Sequence, residues 1–242
     1  MTQFSGKSII ITGAGKGIGR AASELLAQRG AEIVAVSRTR SDLDSLRARI
    51  GGRSIVVDLS SSAGARQAMA EAGPCDMLVN CAGTNVLESV LDMTEAGYET
   101  VMGINLKSPL ICAQEFARLR IDAGGGGVIV NVTSIAGHRG FEDHVSYAAS
   151  KAGLEGATRV MARELGRHGI RVLALAPTVT MTELAAEAWS DPAKSEPMMA
   201  RHPAGRFAQA EDVARAIALL LSEDASMMTG SVLPVDGGFL SV

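Results

Sequence analysis

The chain has 242 residues, 47% of them hydrophobic, and 23 Lys and Arg against 26 Asp and Glu give a formal net charge of −3. That length and apolar content suit one α/β domain with a sizeable core and exclude extended disorder. Charges of both signs are interspersed, which argues against nucleic acid or an anionic membrane as partner. Short β-branched runs predict strands over 8–11, 33–37, 54–58, 77–80, 128–132, 171–174 and 231–235. Helix-period stretches at 18–29, 42–50, 63–72, 95–123, 145–168 and 211–222 alternate with them. The alternation predicts parallel crossovers, hence a single-domain Rossmann-type doubly wound parallel sheet of about seven strands with helices on both faces. Its ligand is expected outside the carboxyl ends of the strands.

The apolar run at 8–11 is too short for a signal peptide or a membrane span. Cys75, Cys81 and Cys112 are odd in number and lie inside periodic segments. They read as reduced thiols of a cytoplasmic protein, and no closely spaced Cys/His set suggests a metal. The stretch 180–203 breaks the alternation and carries Trp189, Pro192, Pro197 and Pro203. It is expected to lie over the active site as a lid.

The segment 12–19 reads T-G-A-G-K-G-I-G, after a predicted strand and opening a predicted helix. Glycines there let the backbone turn tightly and approach a pyrophosphate that the helix N-terminus stabilises. Gly13, Gly15, Lys16, Gly17, Ile18 and Gly19 are therefore the first candidates for a dinucleotide site, although their spacing is G-x-x-x-G-x-G rather than G-x-G-x-x-G. A carboxylate at the end of the second strand would bind a ribose 2′-hydroxyl and repel a 2′-phosphate. Ser37, Arg38 and Thr39 stand there instead, with no acid before Asp42. Arg38 and Lys16 can bind a phosphate, which favours NADP(H) over NAD(H). Asp58 ends the third strand and Leu59 follows it; Asp58 could accept from the adenine amino group or cap the next helix, a task Ser60, Ser61 and Ser62 suit better. At the end of the fourth strand, Asn80, Ala82 and Gly83 flank Cys81 and would let a ribose and nicotinamide lie against backbone.

Tyr147 and Lys151 are four residues apart on a predicted helix, so both project from one face. An ammonium beside a phenol favours the phenolate and suits the tyrosine to pass a proton to or from a substrate oxygen. Ser134, thirteen residues upstream of Tyr147, could hold that oxygen. Together with a nucleotide site, the three point to hydride transfer between a nicotinamide and a carbonyl or alcohol. His144 reads as a substrate contact or a helix-start residue, Trp189 as pocket lining or packing, and His138, His168 and His202 as surface residues.

In combination these motifs resemble the short-chain dehydrogenase/reductase family over essentially the whole length. Asn105, the Pro177-Thr178 pair and the segment 234–238 add to the likeness. The resemblance implies Tyr147 as general acid/base, Ser134 as carbonyl orienter, Lys151 as ribose binder and Asn105 as holder of a relay water. It extends the cofactor set to Pro177, Val179 and Thr182. Ser37-Arg38-Thr39, Pro177-Thr178-Val179 and 188–192 are similar to the L-xylulose (dicarbonyl) and tetrameric carbonyl reductase branch. That branch implies NADPH, small carbonyl substrates, a homotetramer and a substrate side formed by Ser134, Ile135, His144, Tyr147 and Trp189. Cys81 replaces a family asparagine, and Ile135 stands where the branch carries a polar side chain. A 3-oxoacyl-thioester reductase would share the catalytic residues, but 180–203 has Lys194 and Arg201 against Glu183, Glu187, Asp191 and Glu196. The same motifs would also serve a polyol dehydrogenase running oxidatively, or a nucleotide sensor without turnover.

Overall fold

The β-branched runs pair as expected in a computed structural model that describes residues 3–242. Strands β1 (Ser8–Thr12), β2 (Glu32–Ser37), β3 (Arg53–Val56), β4 (Met77–Asn80), β5 (Gly127–Val132), β6 (Ile170–Pro177) and β9 (Val232–Val235) form one parallel sheet in the order β3-β2-β1-β4-β5-β6-β9. Between Pro177 and the last strand a two-residue ribbon pairs β7 (Thr180–Met181) with β8 (Ala208–Gln209). Successive side chains point to opposite faces. Ile9, Ile11, Ile33, Val79 and Val130 enter one core layer, while Ile10, Val34, Val36, Leu78 and Ile129 enter the other.

Helices α1 (Gly17–Gln28), α2 (Arg40–Ile50), α3 (Ser62–Ala72), α4 (Glu95–Met102), α5 (Ser108–Asp122), α6 (Val145–Leu165) and α9 (Ala210–Leu221) cover the two faces. Ser61 caps α3 by accepting from the Gly64 N–H at 3.0 Å. This leaves the Asp58 carboxylate to accept from Ser60 N at 2.9 Å in the turn beyond β3. Strand β3 ends at Val56, short of the expected Asp58. Strand β6 runs on to Pro177, three residues past the predicted end, because β9 pairs with it as far as Pro177.

The helix predicted over 95–123 is not uniform. A wider π-turn, Gly103–Lys107, joins α4 to α5. Pro109 lies in the first turn of α5, and a proline ring clashes with the carbonyl four residues back, here that of Asn105. The π-turn widens the helix at that point. The excursion 180–203 holds two short helices, α7 (Glu183–Ala188) and α8 (Pro192–Met199). Among the described residues no helix is long and apolar enough to cross a membrane.

Helix α9, which packs against α1, opens with a reciprocal cap. Asp212 accepts from Gln209 N at 2.9 Å and pairs with Arg206 and Arg215, both at 2.6 Å. The Arg206 guanidinium first, and then the Gln209 N–H, hold this carboxyl well below the usual carboxylate range. A depressed value stabilises the fold above the ordinary value near 4 and loses that contribution as pH falls toward the lower folded value. Both guanidiniums are more than half exposed and screened, so Asp212→Ala is expected to cost about 1 kcal/mol at neutral pH. In urea titrations the gap should narrow by about pH 2.5; a gap unchanged between the two conditions would contradict this origin.

Candidate active site

The order β3-β2-β1-β4-β5-β6 reverses direction between β1 and β4, and the crevice past their carboxyl ends is where such sheets bind ligands. Thr12, the last residue of β1, ties the two lips together. Its Oγ1 accepts from Cys81 N at 3.0 Å and Ala82 N at 3.1 Å and donates to Val79 O. Gly13 follows in the left-handed region with φ 69°, where a Cβ would sit 2.9 Å from Ala82 backbone. Gly17, φ 52°, faces Thr182, whose methyl would meet a Cβ at 2.9 Å. The result is a cleft of about 820 Å³ walled on the sheet side by Gly13, Gly17, Gly19, Ala82 and Gly83. A space that size, floored by backbone and opened by missing Cβ atoms, fits a dinucleotide.

A second chamber of about 360 Å³ continues from Gly13 and Gly83 to Ser37, Arg38, Thr39, Asp58 and Leu59. Lys16 lines both spaces. The structure also brings in Asp42, which strand-end spacing does not select. From the first turn of α2 its carboxylate comes within 3.8 Å of Lys16 Nζ. Arg38 is exposed and has no ion pair among the described residues, so it is the freer cation of the two. Gly15 does not open on the cleft; a Cβ there would meet Asp42 and the Ser37 hydroxyl. Asn80 likewise turns away. It is 2% exposed, and its Nδ2 donates to Asn131 Oδ1 at 2.9 Å and Pro109 O at 3.3 Å beneath the cleft.

At the far end, α6 brings Tyr147 and Lys151 to one face as their spacing predicts. Lys151 Nζ lies 5.5 Å from the Tyr147 ring centroid and donates to Val132 O at 2.9 Å. This lysine is 5% exposed, and no carboxylate pairs with it among the described residues. An ammonium has three donors, and that carbonyl accepts one of them. Asn105, fully buried in the π-turn, accepts from Thr84 N at 2.8 Å and donates to Thr84 O at 2.8 Å and Ser150 Oγ at 3.2 Å. Ser150 in turn donates to the Tyr147 carbonyl at 2.7 Å. The amide thus joins the wall after β4 to the helix turn that carries Tyr147.

Tyr147, His144 and Thr178 border both the cleft and an adjoining pocket of about 410 Å³. That pocket is lined by Ser134, Ile135 and Trp189 as expected, and also by Leu87, Phe141, Val179 and Met198. Pro177 and Thr182 border the cleft, whereas Val179 lies on the pocket side. Ser134 Oγ accepts from Ala136 N at 3.2 Å, capping the turn after β5. His144 is the residue before α6. Its Nδ1 faces the Glu142 carbonyl, which only accepts, so Nδ1 carries a proton and the ring edge meets Tyr147 at 5.9 Å between centroids. Asp143, at φ 60°, is the one non-glycine with positive φ among the described residues, a conformation aspartate tolerates.

Trp189 packs on Phe207 at 5.4 Å while also lining the pocket, so both readings of this residue hold. The surface reading holds for His168, which is exposed, but His202 is 2% exposed. Its partner Thr178 lies 24 residues away, a contact no local pattern announces. No group of three or more His, Cys, Asp or Glu is placed to hold a metal ion among the described residues.

The sheet order, the glycine-walled cleft and the Tyr147–Lys151 pair define a dinucleotide-dependent oxidoreductase. A family model described as Enoyl-(Acyl carrier protein) reductase matches residues 13–240. L-xylulose reductase of Bos taurus is 46% identical over 99% of this chain and 98% of that protein. Carbonyl reductase [NADPH] 2 of Sus scrofa is 38% identical over 98% of each. A candidate 2-deoxy-D-gluconate 3-dehydrogenase of Agrobacterium tumefaciens, solved with bound NADP, superposes with a TM-score of 0.93 at 33% identity over 100% of both chains. The chain belongs to the short-chain dehydrogenase/reductase family, oxidoreductases that act on alcohol and carbonyl groups with a nicotinamide cofactor.

All three cysteines are free. Burial pushes the Cys81 thiol up to about 12, only partly offset by the Lys151 ammonium. Only the thiolate is an effective nucleophile. Cys81 should therefore resist iodoacetamide at pH 8 in the native protein although it borders the cleft. Peptide mapping that found it alkylated as fast as a free thiol would refute this.

Proposed function

We propose that this protein uses NADPH to reduce a small carbonyl compound, an α-dicarbonyl, a ketose such as L-xylulose or a ketone, to the alcohol, reversibly. The observation that carries the reading is the buried, carboxylate-free Lys151 ammonium beside Tyr147, at the junction of the glycine-walled cleft and the Trp189 pocket. Relatives named for L-xylulose and for NADPH-linked carbonyl reduction support it.

When bound, the nicotinamide supplies the hydride that the carbonyl carbon accepts. Tyr147 gives its phenolic proton to the carbonyl oxygen, and the Ser134 hydroxyl donates a hydrogen bond to the same oxygen. Lys151 places positive charge beside the phenol as it gives up the proton, and its remaining donors face the cleft, where a ribose hydroxyl would accept them. Asn105 sets the spacing between that wall and the Tyr147 turn, and a relay water beside it would return a proton to the site. Gly13, Gly17 and Gly19 hold the pyrophosphate, with Gly15 shaping the turn from behind. Asp58 and Leu59 edge the adenine. Arg38 binds the 2′-phosphate, with Lys16 contributing less because Asp42 stands 3.8 Å away. The segment 180–203 acts as the lid.

The same reading makes the protein a cytoplasmic homotetramer. Leu87, Val90, Leu91, Met93 and Tyr98 are exposed around α4, with Val160 on α6, an apolar surface suited to contact between copies.

Tyr147→Phe is expected to lower kcat by on the order of 10²- to 10⁴-fold while NADPH still binds. Turnover is to be measured with diacetyl, L-xylulose and an acetoacetyl thioester in parallel. Near-normal activity of the variant would overturn the mechanism, and turnover of the thioester alone would move the substrate to acyl chains. Arg38→Leu is expected to weaken NADPH by on the order of 10- to 100-fold, the range of a lost charge-assisted hydrogen bond, with NADH affected little. If fluorescence titration found the two cofactors equally affected, NADP(H) selectivity would not reside in Arg38.

A further inference from the structure

His202 lies at the return of the 180–203 excursion, takes no part in the chemistry above and is 2% exposed. Both ring nitrogens are engaged. Nδ1 lies 3.0 Å from the Met198 carbonyl and Nε2 lies 2.7 Å from Thr178 Oγ1. A carbonyl only accepts, so Nδ1 carries the proton and Nε2 of the neutral ring accepts from the Thr178 hydroxyl. This assigns the tautomer from the network of partners. One imidazole therefore joins the chain as it enters the excursion, at Thr178, to the chain as it leaves α8, at Met198.

Thr178 is also held through its backbone. Its N–H donates to Val235 O at 3.1 Å, and its carbonyl accepts from Thr180 Oγ1 at 2.9 Å. The residue borders both the cofactor cleft and the substrate pocket. The imidazole also has two aromatic neighbours, Phe207 in a T-shaped contact at 5.5 Å and Phe239 tilted at 5.0 Å between centroids. Phe207 touches Trp189, and Phe239 stacks on Phe141 at 5.8 Å. Trp189 and Phe141 both line the substrate pocket. A buried, doubly hydrogen-bonded side chain with aromatic neighbours is a fixed point, and displacing it leaves buried polar groups unpaired.

We propose that His202 is a positioning residue that latches the lid: by clasping Thr178 and bracing Phe207, it holds Val179 and Trp189 where they enclose the carbonyl substrate. It touches neither substrate nor cofactor and acts through Thr178 and Trp189. The proposal rests on the carbonyl-reductase reading for its kinetic arm only, because the tryptophan emission needs no substrate.

The test pairs near-isosteric and graded variants. Thr178→Val keeps the shape and removes the hydroxyl. His202→Gln can still offer an acceptor near the Nε2 position, whereas His202→Asn reaches only the Nδ1 position and His202→Ala reaches neither. Thr178→Val, His202→Asn and His202→Ala are expected to raise KM for the carbonyl substrate at least about tenfold, the effect of the Thr178–His202 hydrogen bond that all three lose, with His202→Ala also losing the Met198 contact. In the His202 variants NADPH affinity should change by no more than about twofold, because the cleft contacts are intact. His202→Gln should stay near the parent, and the Thr178→Val/His202→Ala double variant should be no worse than His202→Ala alone, the mark of a shared contact. Trp189 is the sole tryptophan, so its emission should shift to longer wavelength in the same three variants and not in His202→Gln.

A folded Thr178→Val protein with parental KM and parental emission would overturn the proposal. So would His202→Gln behaving like His202→Ala. If the parent binds NADPH but turns over none of the carbonyl panel, the functional reading has failed, and the emission series alone then decides for or against the latch.

Discussion

A buried ammonium with no carboxylate partner among the described residues is the constraint around which this molecule is arranged. Taking a charge out of water costs several kcal/mol unless partners replace the lost hydration. Lys151 has the Val132 carbonyl and the negative face of the Tyr147 ring. The sheet supplies the first, because β5 ends where its last carbonyl points toward α6. The helical repeat supplies the second, because four residues return a side chain to the same face. The donors left over open onto a cleft that the sheet topology places there independently. A binding site and an uncompensated charge thus occupy one location, and a polar ligand in the cleft satisfies both.

The cleft itself depends on side chains small enough, or satisfied enough, to leave room. Thr12 clasps the two lips with one hydroxyl, and Gly13 rests against the backbone of Ala82, so the crevice between β1 and β4 stays open without exposing unpaired amides. Beneath it Asn80, Asn131 and Thr158 form a buried chain, with Asn131 Nδ2 donating to Thr158 Oγ1 at 2.9 Å and tying the sheet to α6. These polar links cross between elements, so the two halves of the site, cofactor cleft and reacting pair, share one rigid floor.

Much of this is legible in the sequence because the decisive signals are local. Short continuous apolar runs give β4 with both ends right, and the four-residue spacing puts Tyr147 and Lys151 together. What escapes depends on distant partners. His202 sits in a proline-containing stretch without periodicity, and its burial involves Thr178 and Phe239, both distant from it in sequence. Asp42 stands five residues past the strand, too far by spacing alone, yet the first turn of α2 folds it back beside Lys16. The Asn80 side chain turns beneath the cleft, and Gly15 faces Asp42 and the Ser37 hydroxyl rather than the main cleft, orientations that motif spacing does not encode. The π-turn has a visible cue in Pro109, but apolar periodicity through 95–123 is nearly continuous and masks it.

That π-turn amounts to one extra residue wound into a helix. Downstream of it, α5 still presents Cys112, Ala113, Phe116 and Ala117 to the core layer shared with α3. Within it, Asn105 is rotated onto Thr84 and Ser150. A single-residue register change has therefore separated two demands on one helix, packing and chemistry, that an unbroken 3.6-residue repeat would have forced onto a common phase. A change that repacks the α3–α5 layer can consequently leave the amide beside the reacting pair at its post, because the two no longer share a helical clock.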